Sequence, residues 1–453
     1  MATGRQDDPA VAPVPGRAGR GRRPDKARRP VGSAGFARFW FGQTLSQFGA
    51  RIGTLGLSVT AVEALDAGSG EVGVLGAAST VCYLLVGLPA GAWVDRALKR
   101  RTMMWAALVR GAVVLSVPVL WLAGGLHMGV LYAVALVVGL ATVFFDVASQ
   151  SYVPLLVPAD DIGPANARLE ATAQVSALGG PALAGLAMRV VSAPVVLLAD
   201  SLAYLGGFLV LAGVRDDERK PAPVAAGAGR LRADIAEGLR FVRDQPVVRR
   251  LAVSMGVSNF FATMVATLIP VLVLRTLGFD PFTLGLIMTC GAAGGVLGAL
   301  LAPVARRRFG DGKVMAAGLL TAALFTAAGP AAATVAPHHR AVAGALLLAG
   351  EFGMTAGALL FNVTQVSLRQ RLCPAPLLGR MNASIRFVVW GGMPLASLAA
   401  GWLGTHAGVT AALWAGVVGG VVTVLPVLGI DRIVAAHGGP AARPGRAAHR
   451  EVA

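Results

Sequence analysis

The sequence predicts an all-α membrane protein with twelve transmembrane helices in two matched six-helix bundles. Three observations lead there. Of 453 residues, 55% are hydrophobic and only 14% charged, with mean hydropathy +0.67. A soluble domain carries about 25% charge, so this chain needs lipid as its solvent. Apolar runs of spanning length recur along the chain between short polar turns. Finally, a basic turn follows the second run of each half, as a parallel six-helix repeat predicts. In the first half it reads Gly91-Ala-Trp-Val-Asp95-Arg96-Ala-Leu-Lys99-Arg100-Arg101, and in the second Ala302-x-x-x-Arg306-Arg307-Arg308-Phe-Gly310-Asp-Gly312-Lys313.

Residues 1–35 hold eight Lys/Arg and three Asp, with no apolar periodicity and no apolar core at leader-peptide distance. They are expected to form a disordered cytoplasmic tail rather than a cleaved signal. The first run, residues 39–64, is polar for a spanning helix. Gln43, Ser46, Gln47 and Arg51 recur at i, i+3, i+4 and i+8 and stack on one face. Lipid would leave that stripe unsatisfied, so it either faces a wet cavity or bonds to neighbouring helices. The second run, residues 73–94, carries Gly87-x-x-x-Gly91, which permits close helix contact. Arg110 lies in the third run (103–123) and Asp146 in the fourth (130–150). These runs are antiparallel and place both charges at one depth, as a structural ion pair or as a coupling site. The fifth run, residues 171–190, contains Gly179-Gly180-Pro181-Ala-Leu-Ala-Gly185, where Pro181 kinks the helix and the glycines admit neighbours. Asp200 falls in the sixth run (194–214), and local capping or hydration is expected for it.

Residues 215–246 form the long polar interval. Within it Leu231, Ile235, Leu239 and Val242 recur at helical spacing, which predicts an amphipathic helix along the membrane surface. This linker separates one bundle, residues 36–214, from the other, residues 247–430. The second bundle has runs at 251–273, 284–304, 314–335, 342–368, 385–403 and 410–428. Asn259 and Phe261 lie in the first of these, and Glu351 sits mid-way along the fourth. An ionised Glu351 would be costly there, so it should be protonated, paired or cavity-facing. Asn362 and Gln365 continue the polar character of that helix, and Trp390 on the next can stack on a flat substrate or simply pack. Residues 431–453 are read as a disordered cytoplasmic tail.

The net charge of +17 does not describe a nucleic-acid binder, because the cations lie in loops and tails rather than in one basic domain. Short loops on one side hold twelve Lys/Arg: Arg96, Lys99, Arg100, Arg101, Arg168, Arg306, Arg307, Arg308, Lys313, Arg369, Arg371 and Arg380. The other side holds three, Arg189, Arg275 and Arg340, a ratio that places both termini in the cytoplasm. High Ala, Gly, Val and Arg content suits a high-GC bacterium, so a bacterial plasma membrane is expected. Cys82, Cys290 and Cys373 have no metal or disulfide spacing, and no cofactor or metal site is expected. There is no HExxH motif, no Ser/His pair within a run and no phosphate-binding glycine loop, so no enzyme is expected.

The spacing G-x-x-x-D-R-x-x-K-R-R resembles the signature loop between helices 2 and 3 of the Major Facilitator Superfamily, with Leu98 where that family usually has Gly. The Gly180-Pro181 to Ala184-Gly185 stretch is similar to the G-P-x-x-G-G element of its proton-driven drug exporters. The Gln/Arg-rich segment from Asn362 to Leu-Leu-Gly379-Arg380-Met-Asn382 resembles the macrolide-efflux and enterobactin-exporter branch. The likeness spans roughly residues 36–430. It implies a monomeric drug:proton antiporter that exports small amphipathic organic molecules by alternating access. Its partners would be the substrate, protons and membrane lipid, and its cavity would lie between the first, fourth, seventh and tenth helices. Gly91, Asp95, Arg96, Lys99, Arg100 and Arg101 would form a gating latch, Asp95 meeting the N-terminus of the eleventh helix. Proton coupling would fall to Asp146, Glu351 and Arg110. Gln43, Gln47, Arg51, Asn259, Phe261, Asn362, Gln365 and Trp390 are the candidate cavity residues. A membrane subunit served by a separate ATPase, and a non-transporting receptor, are the alternatives.

Overall fold

The structure is a computed structural model and describes residues 34–214, 218, 237, 240–373 and 378–436. Among these residues every regular element is helical. The first six long helices are α1 (Ala34–Val59), α2 (Ser69–Arg96), α3 (Lys99–Leu122), α4 (Met128–Leu156), α5 (Ile162–Ala187) and α6 (Ala193–Ala212). The next six are α7 (Pro246–Pro270), α8 (Pro281–Phe309), α9 (Asp311–Val335), α10 (Arg340–Leu372), α11 (Leu378–His406) and α12 (Val409–Val422). Ten of the twelve are apolar enough to cross a membrane by length and composition alone. The two that are not are α1, whose polar stripe lines the cavity, and α5, whose first half carries exposed Arg168, Glu170 and Gln174.

Local chemistry explains the helix ends and breaks. Asp280 caps α8, its Oδ1 accepting from the Thr283 amide at 3.1 Å and also from the Thr283 hydroxyl. α9 breaks at Ala327 into Asp311–Thr326 and Ala328–Val335. The Pro330 ring lies four residues after Thr326 and excludes the hydrogen bond to that carbonyl. A short helix, α13 (Ile430–Ala436), follows α12 where the sequence reading begins a tail. Its Asp431 accepts a 2.8 Å bond from the Gly312 amide at the start of α9, and Ile430 is buried against Met315 and Leu319. The predicted amphipathic helix falls mostly outside the described residues, but Phe241 and Val242 are placed and pack against Val248 and Met381.

The core is organised differently at the two membrane faces. On the face away from the α2–α3 turn, one continuous cluster joins both sets of six helices, from Leu55, Val72 and Leu197 to Met264, Leu284 and Leu413. On the basic face, which carries the α2–α3 and α8–α9 turns, the core divides. Phe36, Met103, Tyr152 and Leu211 pack within the first six helices, while Leu251, Leu319 and Met381 pack in clusters of the last six. Outward-pointing Leu85, Trp105, Leu122 and Val190 form an apolar exterior suited to acyl chains.

Helix α2 shows the same asymmetry within one element. A Cβ on Gly73 would lie 2.7 Å from the Gly401 Cα of α11, so the two backbones touch near the closed face. A Cβ on Gly87 or Gly91, further toward the basic face, would meet nothing within 4 Å. The helices therefore splay toward the basic face.

Candidate functional site

Between the divided and the continuous core lies a cavity of about 670 Å³. The stripe on α1 supplies Gln43, Ser46, Gln47, Arg51 and Thr54, and α2 adds Ser79, Thr80 and Tyr83. Arg110 of α3, Thr142 and Asp146 of α4, and Asp200 and Tyr204 of α6 complete the polar wall. The last six helices contribute Thr263, Thr267, Pro270, Met393 and Ser397, and apolar Leu57, Val72, Leu75, Val138 and Leu197 fill the gaps. Most wall hydroxyls are already engaged with their own helix: Thr54 donates to Ala50 O, Ser79 to Leu75 O and Thr142 to Val138 O, at 2.7–2.9 Å. Their lone pairs, not their protons, then face the cavity.

The charged groups form one cluster. Arg110 is 3% exposed, with its guanidinium 4.1 Å from the Phe145 ring centroid and 4.4 Å from that of Tyr204. Its Nε and Nη2 have no hydrogen-bond partner, so the direct Arg110–Asp146 pair considered from the sequence is replaced by an aromatic sandwich. Asp146 Oδ2 accepts from the Tyr83 hydroxyl at 3.3 Å, and Tyr83 stands edge-on to Trp390 of α11 at 4.8 Å. Arg386 lies 4.2 Å over the same indole. Asp200 is 4% exposed, packed against Gly49 and Gly53 of α1, and its Oδ1 has no partner. The local capping expected for Asp200 is therefore absent.

The remaining sequence candidates lie elsewhere. Glu351 sits between α8 and α10, its Cγ 2.7 Å from where a Cβ of Gly291 would stand, and does not border the cavity. Asn259 donates to Val389 O of α11 at 2.8 Å. Phe261 packs on Gly419 of α12. Gln365 is buried and donates to Asn362 at 2.9 Å. Trp390 belongs to the Tyr83 contact rather than to the cavity lining.

The face opposite the basic turns is closed by contacts between the two sets of six. Arg189, just after α5, lies 3.5 Å from Asp280 and 3.8 Å over the Phe282 ring. Arg275 donates to the Asp66 carbonyl at 3.1 Å. In α5, Gly180 packs on Arg51, while Pro181 and Gly185 meet the start of α8; a Cβ on Gly185 would be 2.9 Å from the Phe282 Cα. Burial tends to raise the Asp280 carboxyl, but its bonds from Thr283 and the Arg189 charge outweigh that and hold it below the usual carboxylate range.

On the basic face the signature turn is docked by a residue that the sequence reading did not single out. Glu218 accepts from the Lys99 amide at 2.7 Å and the Arg100 amide at 3.2 Å, and lies 3.8 Å from Lys99 Nζ. Its side chain is only 5% exposed. Arg100 in turn donates to Val214 O at 2.6 Å. Arg96 and Arg101 are exposed. Asp95 closes the last turn of α2, but its side chain, residues 374–377 and the Arg380 side chain lie outside the described part, and with them the predicted latch.

The model of the family described as Major Facilitator Superfamily matches residues 39–389. The chain belongs to that superfamily. It is 27% identical over 350 residues to the multidrug efflux pump Tap of Mycolicibacterium fortuitum, a match covering 75% of this chain and 82% of that protein. It is also 29% identical over 212 residues to the uncharacterized MFS-type transporter YvqJ of Bacillus subtilis, covering 46% and 50%, and 29% identical over 243 residues to Tap of Mycobacterium bovis, covering 52% and 57%. The matches thus span between half and about four-fifths of these relatives. Among solved structures, a bacterial homologue of the iron transporter ferroportin in an inward-facing state has TM-score 0.70 at 14% identity, covering 87% of this chain and 98% of that one. The nucleoside transporter NupG (D323A mutant) has TM-score 0.69 at 13% identity, with the same coverage. These structural likenesses establish the fold, the twelve-helix arrangement of the superfamily.

Proposed function

We propose that this chain is a proton-driven exporter of small amphipathic organic molecules, with the basic face in the cytoplasm as the positive-inside rule requires. The observation that carries the reading is the divided core. A cavity with mixed polar and apolar walls lies between one face where the halves share a core and another where they do not. That is the geometry of a carrier open to one side, and rocking the halves would move the opening to the other. The Tap relatives, named as multidrug efflux pumps, support small-molecule export. The cavity size fits one drug-sized guest. Protons would be taken up within the cluster of Arg110, Asp146 and Asp200 that borders the cavity. Glu351 lies outside that lining, so coupling is assigned to the first six helices.

The test is growth inhibition across a compound panel in a strain lacking its own exporters. Wild type should raise resistance to several amphipathic compounds, Asp146→Asn should abolish the effect, and Glu351→Gln should preserve it. Resistance unchanged by Asp146→Asn removes the coupling assignment, and no resistance to any compound argues against export.

A further inference from the structure

Two carboxylates that line the cavity lie near Arg110, and they are not equally supported. Arg110 lies within electrostatic reach of both Asp146 and Asp200. Asp146 has further support from the Tyr83 hydroxyl at 3.3 Å and from the charge of Arg386. Asp200 has neither. Its Oδ1 is buried without a partner, and its Oδ2 occupies the space that a Cβ on Gly53 would need. The groups around Asp200 can be named helix by helix. From α3 it faces Arg110, and on α6 its neighbour is Tyr204. From α1 it meets Gly49 and Gly53, and Arg51 of the same helix borders the same cavity. Asp146 borders the same cavity.

We propose that Asp200 is the residue that carries the proton: in this cavity-open state it is the neutral acid, while Asp146 remains ionised beside Tyr83 and Arg110. Arg110 and Arg386 balance Asp146, and a second buried anion of the same cluster with an unpartnered oxygen is strongly disfavoured at low dielectric. The single proton settles on the carboxyl with fewer donors, because an ionised oxygen without a partner is the more costly of the two. The position also links the proton to the guest. Helix α1 turns Gln43, Gln47 and Arg51 into the cavity and covers Asp200 with Gly49 and Gly53. A guest that shifts α1 away from α6 would admit water to Asp200 and release its proton. This inference rests on the reading of the chain as a proton-driven carrier.

Infrared difference spectroscopy of the full chain in lipid, recorded between neutral and alkaline pH, tests it without any substrate. Wild type should show a protonated-carboxyl carbonyl band that disappears on alkalinisation. Asp200→Asn should delete that component and Asp146→Asn should retain it. A spectrum unchanged by Asp200→Asn, or a band deleted by Asp146→Asn, overturns the proposal. Should Asp200→Asn fail to insert, Gly53→Ala serves, since its Cβ must displace the carboxyl and shift the band; an unshifted band would likewise overturn it. Export without this band would leave the carrier reading standing and remove Asp200. The band without export would do the reverse.

Discussion

Replacing Gly73 by alanine is a probe of one conformation only. The new Cβ would stand 2.7 Å from the Gly401 Cα and 2.7 Å from the Ser397 carbonyl oxygen, whereas ordinary contact begins at 3.4 Å. Both neighbours are backbone, so neither can swing aside, and α2 must separate from α11. Overpacking of this kind costs about 1–3 kcal/mol. The better helix propensity of alanine, about 1 kcal/mol, applies in both conformations and cancels. When the face opposite the basic turns opens, the contact disappears and the penalty with it. The equilibrium should therefore move toward the form open at that face by about 5- to 150-fold. Spin labels at positions 125 and 338, on exposed turns of that face in different halves, report the change by double electron–electron resonance. The distance distribution should gain a long component in Gly73→Ala that is minor in wild type. An unchanged distribution would show that the α2–α11 contact is not the closing contact.

Two further outcomes follow from the loops. Glu218→Ala removes a carboxylate 5% exposed at the N-terminus of α3 and leaves two amides unpaired. It should lower stability by about 1–2 kcal/mol, read as a fall in unfolding temperature in detergent; an unchanged transition would mean that the docking is incidental. At the other face, Asp280 is held below its ordinary range, so its contribution to closure is present above that range and is lost as the pH on that side falls through the lowered value. The pair is half exposed and worth about 0–1 kcal/mol. The 125–338 distance should stay constant near neutrality and lengthen slightly below roughly pH 4. Asp280→Asn should show no such acid step, and an equal step in that variant would exclude the pair as its source.

Depth was legible in the sequence and azimuth was not. The i, i+3, i+4, i+8 stripe on α1 predicted a polar face, and that face lines the cavity because no other surface could satisfy it. The sequence set Asp146 and Arg110 at one level but not their partners, because Phe145, Tyr204 and Tyr83 reach them from other helices. Glu351 and Asp200 look alike in the sequence, each a lone carboxylate in an apolar run. Glycines on a neighbouring helix decide their fates: Gly291 of α8 draws α10 close over Glu351, whereas Gly49 and Gly53 bring α1 over Asp200 at the edge of the cavity. Asn259, Asn362 and Gln365 signalled a wet surface, but Asn259 bonds across to α11 and Gln365 bonds to Asn362 on its own helix. Glu218 carried no periodic signal at all, since its role depends on a helix terminus more than a hundred residues away.

The central claim, a carrier driven by protons through the cavity of the first six helices, is tested most directly with purified protein in sealed vesicles. With only a pH gradient imposed and no nucleotide present, a compound to which the protein confers resistance should accumulate against its own gradient. That accumulation should collapse when a protonophore dissipates the proton gradient. Accumulation that ignores the protonophore, or that requires ATP and a second protein, would contradict the account.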